Sequence, residues 1–528
     1  MRNSRLLVPA LVMVGAAALL SGSVGASADS FPRVSANADV SQNNKSPVRD
    51  MSTANVATDP KDAKHIAIVA GDWRLGTCYL YVSSDGGAAW AVGKRSPLPA
   101  NFDTCTPNGG TNAWGIAFDN SGNILVALMA ANRPSTISAS GSIVVSKTTD
   151  NGNNWSSTIV KDNRNTSPQQ GAGQIQMAVD NAHNRVFVAW QQRGVVVSGY
   201  SGSQRRADVA TSNDGGVTFG TPIDAEGDPS STLSIGGPNM SVGPDGTLWI
   251  YYSQSAAPKG SSTVFSSQKN GLKLAKTTDG TSITQVGTID ATAPTFFGFA
   301  NFAAGSYKGG TALVFIFEAI AQGTAGSQYQ LRDIYSQNSL DGGQTWNSPV
   351  RVTDDDIQTD LGNKFTPGIN SAPNGRFDAA WIDFRNDSGS LLTDTYYASS
   401  SDGGTTWSKN IKVSDAQSDR HYGLFANYSD VRSNINIASN NYAANIAWDD
   451  TRKASASADV SDIEFGAVQQ AAIPDATSTT VLYIVAAIAG GLVAAALILL
   501  VVGLVIRGRR GGGRPTASPP KAGATTAS

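Results

Sequence analysis

The sequence predicts an all-β fold that is built by repeating one four-stranded unit. The first observation is an eight-residue motif of the form Ser/Thr-x-Asp-x-Gly-x-Thr-aromatic, which occurs in five good copies and one degraded copy. The second is a composition suited to many hairpins, with 55 glycines and 10 tryptophans in 528 residues. The third is the lack of sustained helical periodicity outside the two ends of the chain. A steady repeat indicates one architecture rather than several unrelated domains.

The repeated motif is a turn whose chemistry follows from its residue types. Its aspartates are 61 to 65 residues apart and are Asp85, Asp150, Asp214, Asp279, Asp341 and Asp402. A turn aspartate accepts hydrogen bonds from the backbone N–H groups that follow it, and glycine permits a positive φ. The closing aromatic side chain packs into the core. We therefore expect a structural role for these six aspartates.

A second recurring element precedes each motif, namely a short strand that begins a unit. Such strand starts lie at Val56, Ile116, Met177, Met240, Phe302 and Ile369, and a seventh at Ile435 has no motif after it. Each unit thus consists of strand, turn, strand, variable loop, strand, motif and strand. Four antiparallel strands in this order form one blade of a β-propeller.

The length of the body predicts seven blades. Residues 31–470 contain about seven periods of roughly 62 residues. The seventh unit supplies only three strands, the last at Ile463–Val468, while Phe31–Ser35 is an orphan strand similar to Ser348–Val352. We expect the orphan strand to complete the last blade, since closing the ring removes exposed sheet edges. A six-bladed ring with a separate cap is the alternative.

The two ends of the chain predict export and attachment to a membrane. Arg2 and Arg5, an apolar stretch at 6–20 and small residues ending at Ala28 are typical of a secretory signal. Residues 481–506 carry no charge and are long enough to cross the roughly 30 Å hydrocarbon core of a bilayer as a helix. Four arginines follow between positions 507 and 514, which predicts a cytoplasmic tail and an outward-facing body.

These features divide the chain into five predicted segments. They are a signal peptide at 1–28, the propeller at 29–470, a stalk at 471–480, a single transmembrane helix at 481–506 and a disordered cytoplasmic tail at 507–528. The expected location is the cell membrane, with the propeller outside the cell. The sequence does not predict an oligomeric state.

The charge of the body argues against nucleic acid as a partner. Seven of the 39 lysines and arginines lie in the predicted signal and tail, whereas none of the 41 acidic residues does. The exported part is therefore acidic, and an acidic surface repels a phosphate backbone.

The cysteines and one acidic run suggest two local features. Cys78 and Cys105 are the only cysteines, and in an exported protein a disulfide is favoured over two free thiols. Asp354, Asp355 and Asp356 could hold a calcium ion, because hard cations take clustered carboxylates. A solvated acidic loop is the alternative, since the spacing of a calcium-binding loop is absent. No other metal or cofactor is predicted.

The eight-residue motif resembles the Asp box, or bacterial neuraminidase repeat, of sialidases and many other propellers. The resemblance covers the whole exported body. It implies that the boxes are scaffold and lie on the face opposite the ligand site. Because propellers of unrelated activity share the box, the resemblance predicts the fold more strongly than the function.

A second repeated text lies where the resemblance places the ligand face. It reads Ala70-x-Asp72-x-Arg74, Trp381-x-Asp383-x-Arg385 and Trp448-x-Asp450-x-Arg452, with the variant Met129-x-Ala131-x-Arg133. Residues two apart in a strand point to the same side. Arg74, Arg133, Arg385 and Arg452 could therefore bind an anionic group, and Asp72, Asp383 and Asp450 could supply catalytic carboxylates. The alternative is that each aspartate pairs with an arginine and holds adjacent blades together.

Two hypotheses of function remain open from the sequence. The resemblance to sialidases implies a glycan-directed protein, in which three arginines hold a sugar carboxylate above a tyrosine nucleophile, its glutamate partner and an aspartate acid/base. The sequence lacks the Arg-Ile-Pro text of the first blade, and Glu318 and Glu226 lie away from the arginine motifs. The second hypothesis is a cell-surface module that binds a glycan or a protein without catalysis.

Overall fold

The computed structural model describes residues 31–42, 49–72, 75–95, 98–99, 102, 104–105, 114–131, 141–164, 170–196, 203–227, 233–235, 237–256, 272–289, 296–320, 331–356, 362–387, 391–423, 435–458 and 460–472. By its internal contacts the chain divides into Met1–Ala471 and Ala472–Ser528. The predicted signal peptide, transmembrane helix and cytoplasmic tail lie outside the described residues, as does the stalk beyond residue 472. In the described part of the chain, no helix is long and apolar enough to cross a membrane.

Seven modules of β-strands follow one another along the chain. Module 1 contains β3 (Arg49–Thr58), β4 (Ile66–Asp72), β5 (Thr77–Ser83) and β6 (Lys94–Arg95). Module 2 contains β7 (Trp114–Phe118), β8 (Ile124–Ala130), β9 (Ser142–Thr148) and β10 (Ser156–Lys161). Module 3 contains β11 (Gly171–Asp180), β12 (Arg185–Val196), β13 (Ser203–Ser212) and β14 (Ile223–Asp224).

The next two modules repeat the order of the first three. Module 4 contains β15 (Leu233–Ile235) and β16 (Asn239–Val242), which both pair with β17 (Leu248–Ala256), and then β18 (Leu272–Thr277) and β19 (Thr284–Ile289). Module 5 contains β20 (Phe296–Tyr307), β21 (Gly310–Ile320), β22 (Arg332–Ser339) and β23 (Val350–Arg351).

The last two modules include strands from both ends of the described chain. Module 6 contains β24 (Lys364–Ser371), β25 (Phe377–Asp383), β26 (Leu392–Ser400), β27 (Ile411–Lys412) and the short β28 (Ser418–Asp419), which also pairs with β26. Module 7 contains β29 (Ile435–Ser439), β30 (Ala443–Asp450) and β31 (Val460–Gln469), and its outer edge carries β1 (Arg33–Val34) and β2 (Ala38–Asp39).

Within each module, consecutive strands pair in antiparallel fashion, and the described residues form strands but no helix. The predicted all-β class and the four-stranded antiparallel unit are therefore confirmed. One parallel pairing joins modules 7 and 1, where Arg49 and Asp50 face Val460 and Ser461.

The modules contact one another in chain order. The first strands touch in the sequence β3, β7, β11, β16, β20, β24 and β29, and β29 touches β3 again. Buried hydrophobic clusters fill the seams between consecutive modules, including the seam between modules 7 and 1. Second strands supply much of this core, since every residue of β4, β8, β25 and β30 is buried. A strand buried on both faces needs apolar side chains on both sides, which explains the nearly continuous apolar runs.

The N-terminal segment pairs with the last strand, as predicted. Val34 lies opposite Val468 in β31, and Ala38 lies opposite Phe465. The part that corresponds to a fourth strand is Asn37–Ser41 rather than Phe31–Ser35, because its side-chain contacts match those of module 6. Asn37 donates to the carbonyl of Val413 at 3.0 Å, just as Asn410 donates to that of Val352 at 3.0 Å.

The repeated motif forms the turn between the third and fourth strands. In the copy at 400–407, Asp402 accepts hydrogen bonds from the N–H groups of Thr405 (3.1 Å) and Thr406 (2.9 Å) and from the Thr406 hydroxyl (2.6 Å). Gly403 and Gly404 both have positive φ, at 72° and 83°, so a larger side chain would strain the turn. Burial works against the charged form, yet these hydrogen bonds lower the pKa of Asp402.

We expect Asp402→Ala to lower the free energy of unfolding by about 1 kcal/mol, because the turn loses its acceptor. Asp402→Asn retains one acceptor oxygen and should lose less. Chemical denaturation of both variants measures the difference. An alanine variant that unfolds at the wild-type denaturant concentration would contradict the structural role of the motif.

A disulfide joins Cys78 of β5 to Cys105, as predicted. Cys105 lies beyond the fourth strand of module 1, and the neighbouring Thr104 forms a β-bridge with Ala131 of module 2. The disulfide therefore ties the connection between modules 1 and 2 to the end of β5.

Candidate functional site

The topology separates two ends of the modules. Second strands run away from the Asp-motif turns, so their last residues and the first residues of the third strands lie at the opposite end. We call these the box end and the loop end. The predicted arginine motifs lie at the loop end. Of their arginines, Arg385 and Arg452 are described, whereas Arg74 and Arg133 lie outside the described residues.

In module 6, Asp383 lies at the centre of a closed set of contacts. Its carboxylate accepts the indole N–H of Trp381 at 2.8 Å, the backbone N–H of Arg385 at 2.8 Å and the Arg385 Nε–H at 2.9 Å. The same guanidinium reaches Asp354, which follows the fourth strand of module 5, at 3.1 Å. It also stacks over the ring of Tyr396 with 4.1 Å between Cζ and the ring centroid.

Module 7 repeats this arrangement. Asp450 accepts the indole N–H of Trp448 at 2.9 Å and pairs with Arg452 at 2.9 Å. Arg452 also pairs with Asp415 at 2.5 Å, and Asp415 follows the fourth strand of module 6. In both modules the arginine therefore contacts the module before it.

The pKa shifts of these groups agree with neutralisation of the two arginines by carboxylates. Burial raises the pKa of Asp383 even against the opposing charge of Arg385. Although burial disfavours their charged forms, the neighbouring carboxylates raise the pKa of both Arg385 and Arg452. A guanidinium that is already matched by two or three carboxylates offers little binding energy to a further anion.

The predicted catalytic aspartates do not present free carboxylates to the loop end. Asp383 and Asp450 are buried and bonded as described above, and Asp72 is fully buried and accepts the backbone N–H of Leu75 at 3.2 Å. The structure thus brings each described arginine to its own aspartate.

The other acidic and tyrosine candidates have structural contacts too. Asp354 and Asp355, considered for calcium, pair with Arg385, and Asp355 also pairs with Lys364. Among the described residues, no group of three or more histidine, cysteine or acidic side chains could hold a metal ion. Glu318 is buried and accepts the backbone N–H of Thr366 at 2.7 Å.

Four strand tyrosines that could supply the nucleophile of a sialidase-type site lie in the core. Tyr251, Tyr252, Tyr396 and Tyr397 are all buried. Burial raises the pKa of Tyr251 above its ordinary value, which disfavours a phenolate there. Tyr397 donates a hydrogen bond to Asp378 at 2.5 Å. Tyr252 donates a hydrogen bond to Gln285 at 3.0 Å, and the charge of Glu226 adds to the burial that raises its pKa.

Two arginines of module 3 form a pair that the repeated sequence motifs do not predict. Arg193 of β12 lies directly opposite Arg205 of β13 in the register of the sheet. Arg193 donates its Nε–H to the side chain of Gln191 at 2.9 Å, and no carboxylate of the described residues forms an ion pair with it. In module 3 the motif reads Trp190-x-Gln192-x-Gly194, so its arginine is displaced by one position and its acid is missing. That departure is the signal from which the pair could have been found.

Comparisons with known proteins concern the fold. No family model matches the chain, and no curated protein matches it either. Its structure is similar to that of the Hadza microbial sialidase Hz136, with 15% identity over 78% of this chain and 74% of that one and a TM-score of 0.42. It is similar to an α-L-arabinanase of Penicillium chrysogenum, with 11% identity over 73% and 100% of the two chains and a TM-score of 0.40.

A third similar structure is an ulvan lyase of polysaccharide lyase family PL25, with 11% identity over 80% of this chain and 95% of that one and a TM-score of 0.46. At these identities and TM-scores, the neighbours carry no information about the activity of this chain.

Proposed function

We propose that this protein is a membrane-anchored, outward-facing binding propeller that engages a glycan at its loop end without hydrolysing it. The observation that carries the proposal is the neutralisation of Arg385 and Arg452 by Asp383, Asp354, Asp450 and Asp415. Sialidase-type catalysis needs arginines that are free for the sugar carboxylate, together with accessible carboxyl groups. Arg385 and Arg452, which are described, instead join adjacent modules through Asp354 and Asp415.

The proposal includes a seven-bladed ring. It is supported by the unbroken order of contacts between the first strands, which returns from β29 to β3, and by the pairing of β1 and β2 with β31. Each of the seven modules would form one blade, with the last blade completed by the N-terminal segment. Sealing the ring in this way covers the outer edge of β31, which the last module would otherwise leave unpaired.

The proposal also keeps the predicted anchor. It is supported by the secretory signal at 1–28, the uncharged stretch at 481–506 and the arginines that follow it. A short stalk would hold the propeller close to the outer surface of the cell.

We expect the purified protein to release no fluorophore from a fluorogenic sialoside or from a panel of other fluorogenic glycosides, because the carboxyl groups predicted for catalysis, Asp72, Asp383 and Asp450, are buried and hydrogen-bonded within the protein. A glycan array measures binding in parallel, and signal on the array without turnover is the expected combination. An authentic sialidase serves as the positive control. Turnover that is lost in Asp383→Asn would contradict the proposal and favour a sialidase-type enzyme.

A further inference from the structure

Arg193 of module 3 lacks the acidic partner that several other arginines of the described strands have. Six arginines of the described strands and turns pair with an acid, in Arg185–Asp180, Arg206–Asp208, Arg351–Asp333, Arg376–Asp378, Arg385–Asp383 and Arg452–Asp450. Arg193 instead has a glutamine as its hydrogen-bond partner and a second arginine across the strand. Like charges directly opposite in a sheet are destabilising. Such a pair costs stability unless something else matches its charge.

Burial disfavours the charged forms of both Arg193 and Arg205. Burial and the charge of Arg205 together lower the pKa of Arg193, and burial lowers that of Arg205. Arg385 and Arg452 show the opposite direction because carboxylates face them. An incoming anion would therefore meet two partly desolvated guanidinium groups, whose interaction with it is stronger than that of solvated ones.

The backbone beneath Arg193 is shaped to receive its guanidinium group. Gly173 of β11 lies next to it, and a Cβ at that position would lie 2.6 Å from Nη2 and 2.9 Å from Cζ. Any larger residue at 173 would displace the arginine. Because Nε is bonded to Gln191, the two Nη groups remain as the binding edge of the guanidinium.

The next residue, Gln174, departs from a pattern shared by other modules. It lies in a β-bulge with a φ of 51°, as do Thr53 (56°) in module 1 and Thr366 (47°) in module 6. In those two modules an acid of the preceding module, Asp449 or Glu318, accepts the backbone N–H of the bulge residue.

For Gln174 of module 3, the acid would have to come from the second strand of module 2. That strand, β8, has Ala130 at the corresponding position, so no acid accepts the N–H of Gln174 there. The side-chain oxygen of Gln174 is buried without a hydrogen-bond partner in the described structure. It lies against module 4, where a Cβ on Gly237 would come within 1.8 Å of it. A buried acceptor without a donor is costly, and strain at a bulge often marks a ligand site.

We infer that the seam between modules 3 and 4 at the loop end binds an acidic sugar unit of a glycan. The carboxylate or sulfate group of the sugar would lie against Arg193 and Arg205, and one of its hydroxyl groups would donate to Gln174. The inference rests on the proposed function, since it names the site and ligand class of the binding propeller. It moves the anion site from the predicted arginine motifs to residues outside them.

Binding is measured by isothermal titration with the full-length protein in detergent micelles. The probes are a uronic-acid oligosaccharide, a sulfated galactan oligosaccharide and neutral dextran as a control. We expect binding of at least one acidic probe, binding that weakens with salt, and none of dextran. The two acidic probes distinguish a carboxylate from a sulfate ester.

Arg193→Ala should weaken binding of the acidic probe at least tenfold, and Gln174→Ala severalfold. Lys61→Ala removes the same charge from the box end and should bind as the wild type does. Because Arg193 has no acidic partner, its alanine variant should melt at the wild-type temperature or above, which a merely structural residue would not do. Wild-type binding by Arg193→Ala would overturn this inference and leave the binding propeller intact. Failure of the wild type to bind any glycan would overturn both proposals.

Discussion

Removal of residues 31–42 is expected to abolish the folded protein. This segment covers the outer edge of β31 from Gln469 to Glu464. Its Val40 is fully buried in the seam between modules 7 and 1, and Ser41 donates a hydrogen bond to the buried Asp462 at 3.0 Å. The deletion would open a sheet edge, expose an apolar cluster and leave a buried carboxylate short of a donor. The combined loss should reach about 5 kcal/mol or more, which is comparable with the whole stability of a typical domain.

Circular dichroism and size-exclusion chromatography of the deleted and intact chains measure this loss. Arg33→Ala is the matched control, since Arg33 is exposed and its guanidinium bonds the side chain of Gln469 at the end of the strand. A synthetic peptide of residues 31–42 should restore part of the cooperative unfolding when added to the deleted chain. A deleted chain that melts cooperatively at the wild-type temperature would show that the ring does not depend on its N-terminal strand.

Most of the fold could be predicted from the sequence repeat. The spacing of the Asp motifs and the incomplete seventh unit were enough to predict four-stranded modules and the pairing of the N-terminal segment with β31. The matching part of that segment was predicted at Phe31–Ser35, from its similarity to Ser348–Val352, whereas the contacts place it at Asn37–Ser41. Asn37 marks the true correspondence, but its role depends on a contact with Val413, which is distant in sequence.

The candidate site was predicted less well, for a physical reason. Each motif places an aspartate two residues from its arginine, and this local pairing is visible in the sequence. The further carboxylates at Asp354 and Asp415 come from the preceding module, more than thirty positions away, and they convert an apparent anion site into a closed ion-pair network. The pairing of Arg193 with Arg205 depends on the register of β12 and β13, which residue spacing does not predict.

Two pairs of opposing carboxyl groups predict how stability changes with pH. Asp208 lies opposite Asp224 in module 3, and Glu464 lies opposite Asp39 in module 7. The corresponding positions in module 6 hold Tyr396 opposite a lysine, so the acidic pairs are not required by the repeat. Burial, aided by the charges of Glu226 and Asp208 and opposed by Arg206, raises the pKa of Asp224 to about 7.

In module 7, burial raises the pKa of Glu464 to about 8. The charges of Asp450 and Asp39 act in the same direction, while Arg452 and Lys453 oppose them. Both raised values exceed the ordinary carboxyl pKa near 4. Between about pH 4 and these values, the folded protein retains protons that the unfolded chain releases. The contribution of these two groups to the free energy of unfolding should therefore fall as pH rises from 4 to 8, and this fall should dominate above about pH 5, where the turn aspartates are ionised in both states.

Asp224→Asn and Glu464→Gln should each flatten this fall and raise the free energy of unfolding at pH 8 by about 2 kcal/mol. An amide keeps the size of the protonated carboxyl group and a donor for the opposing aspartate, but it carries no charge to desolvate. The two gains should add, because the sites lie in separate modules and share no described contact. Urea denaturation at pH 5, 6, 7 and 8 measures the slope, and Asp62→Asn, at an exposed turn of the box end, controls for the loss of one negative charge. Variants whose stability runs parallel to that of the wild type across this range would show that neither pair holds a proton in the folded state.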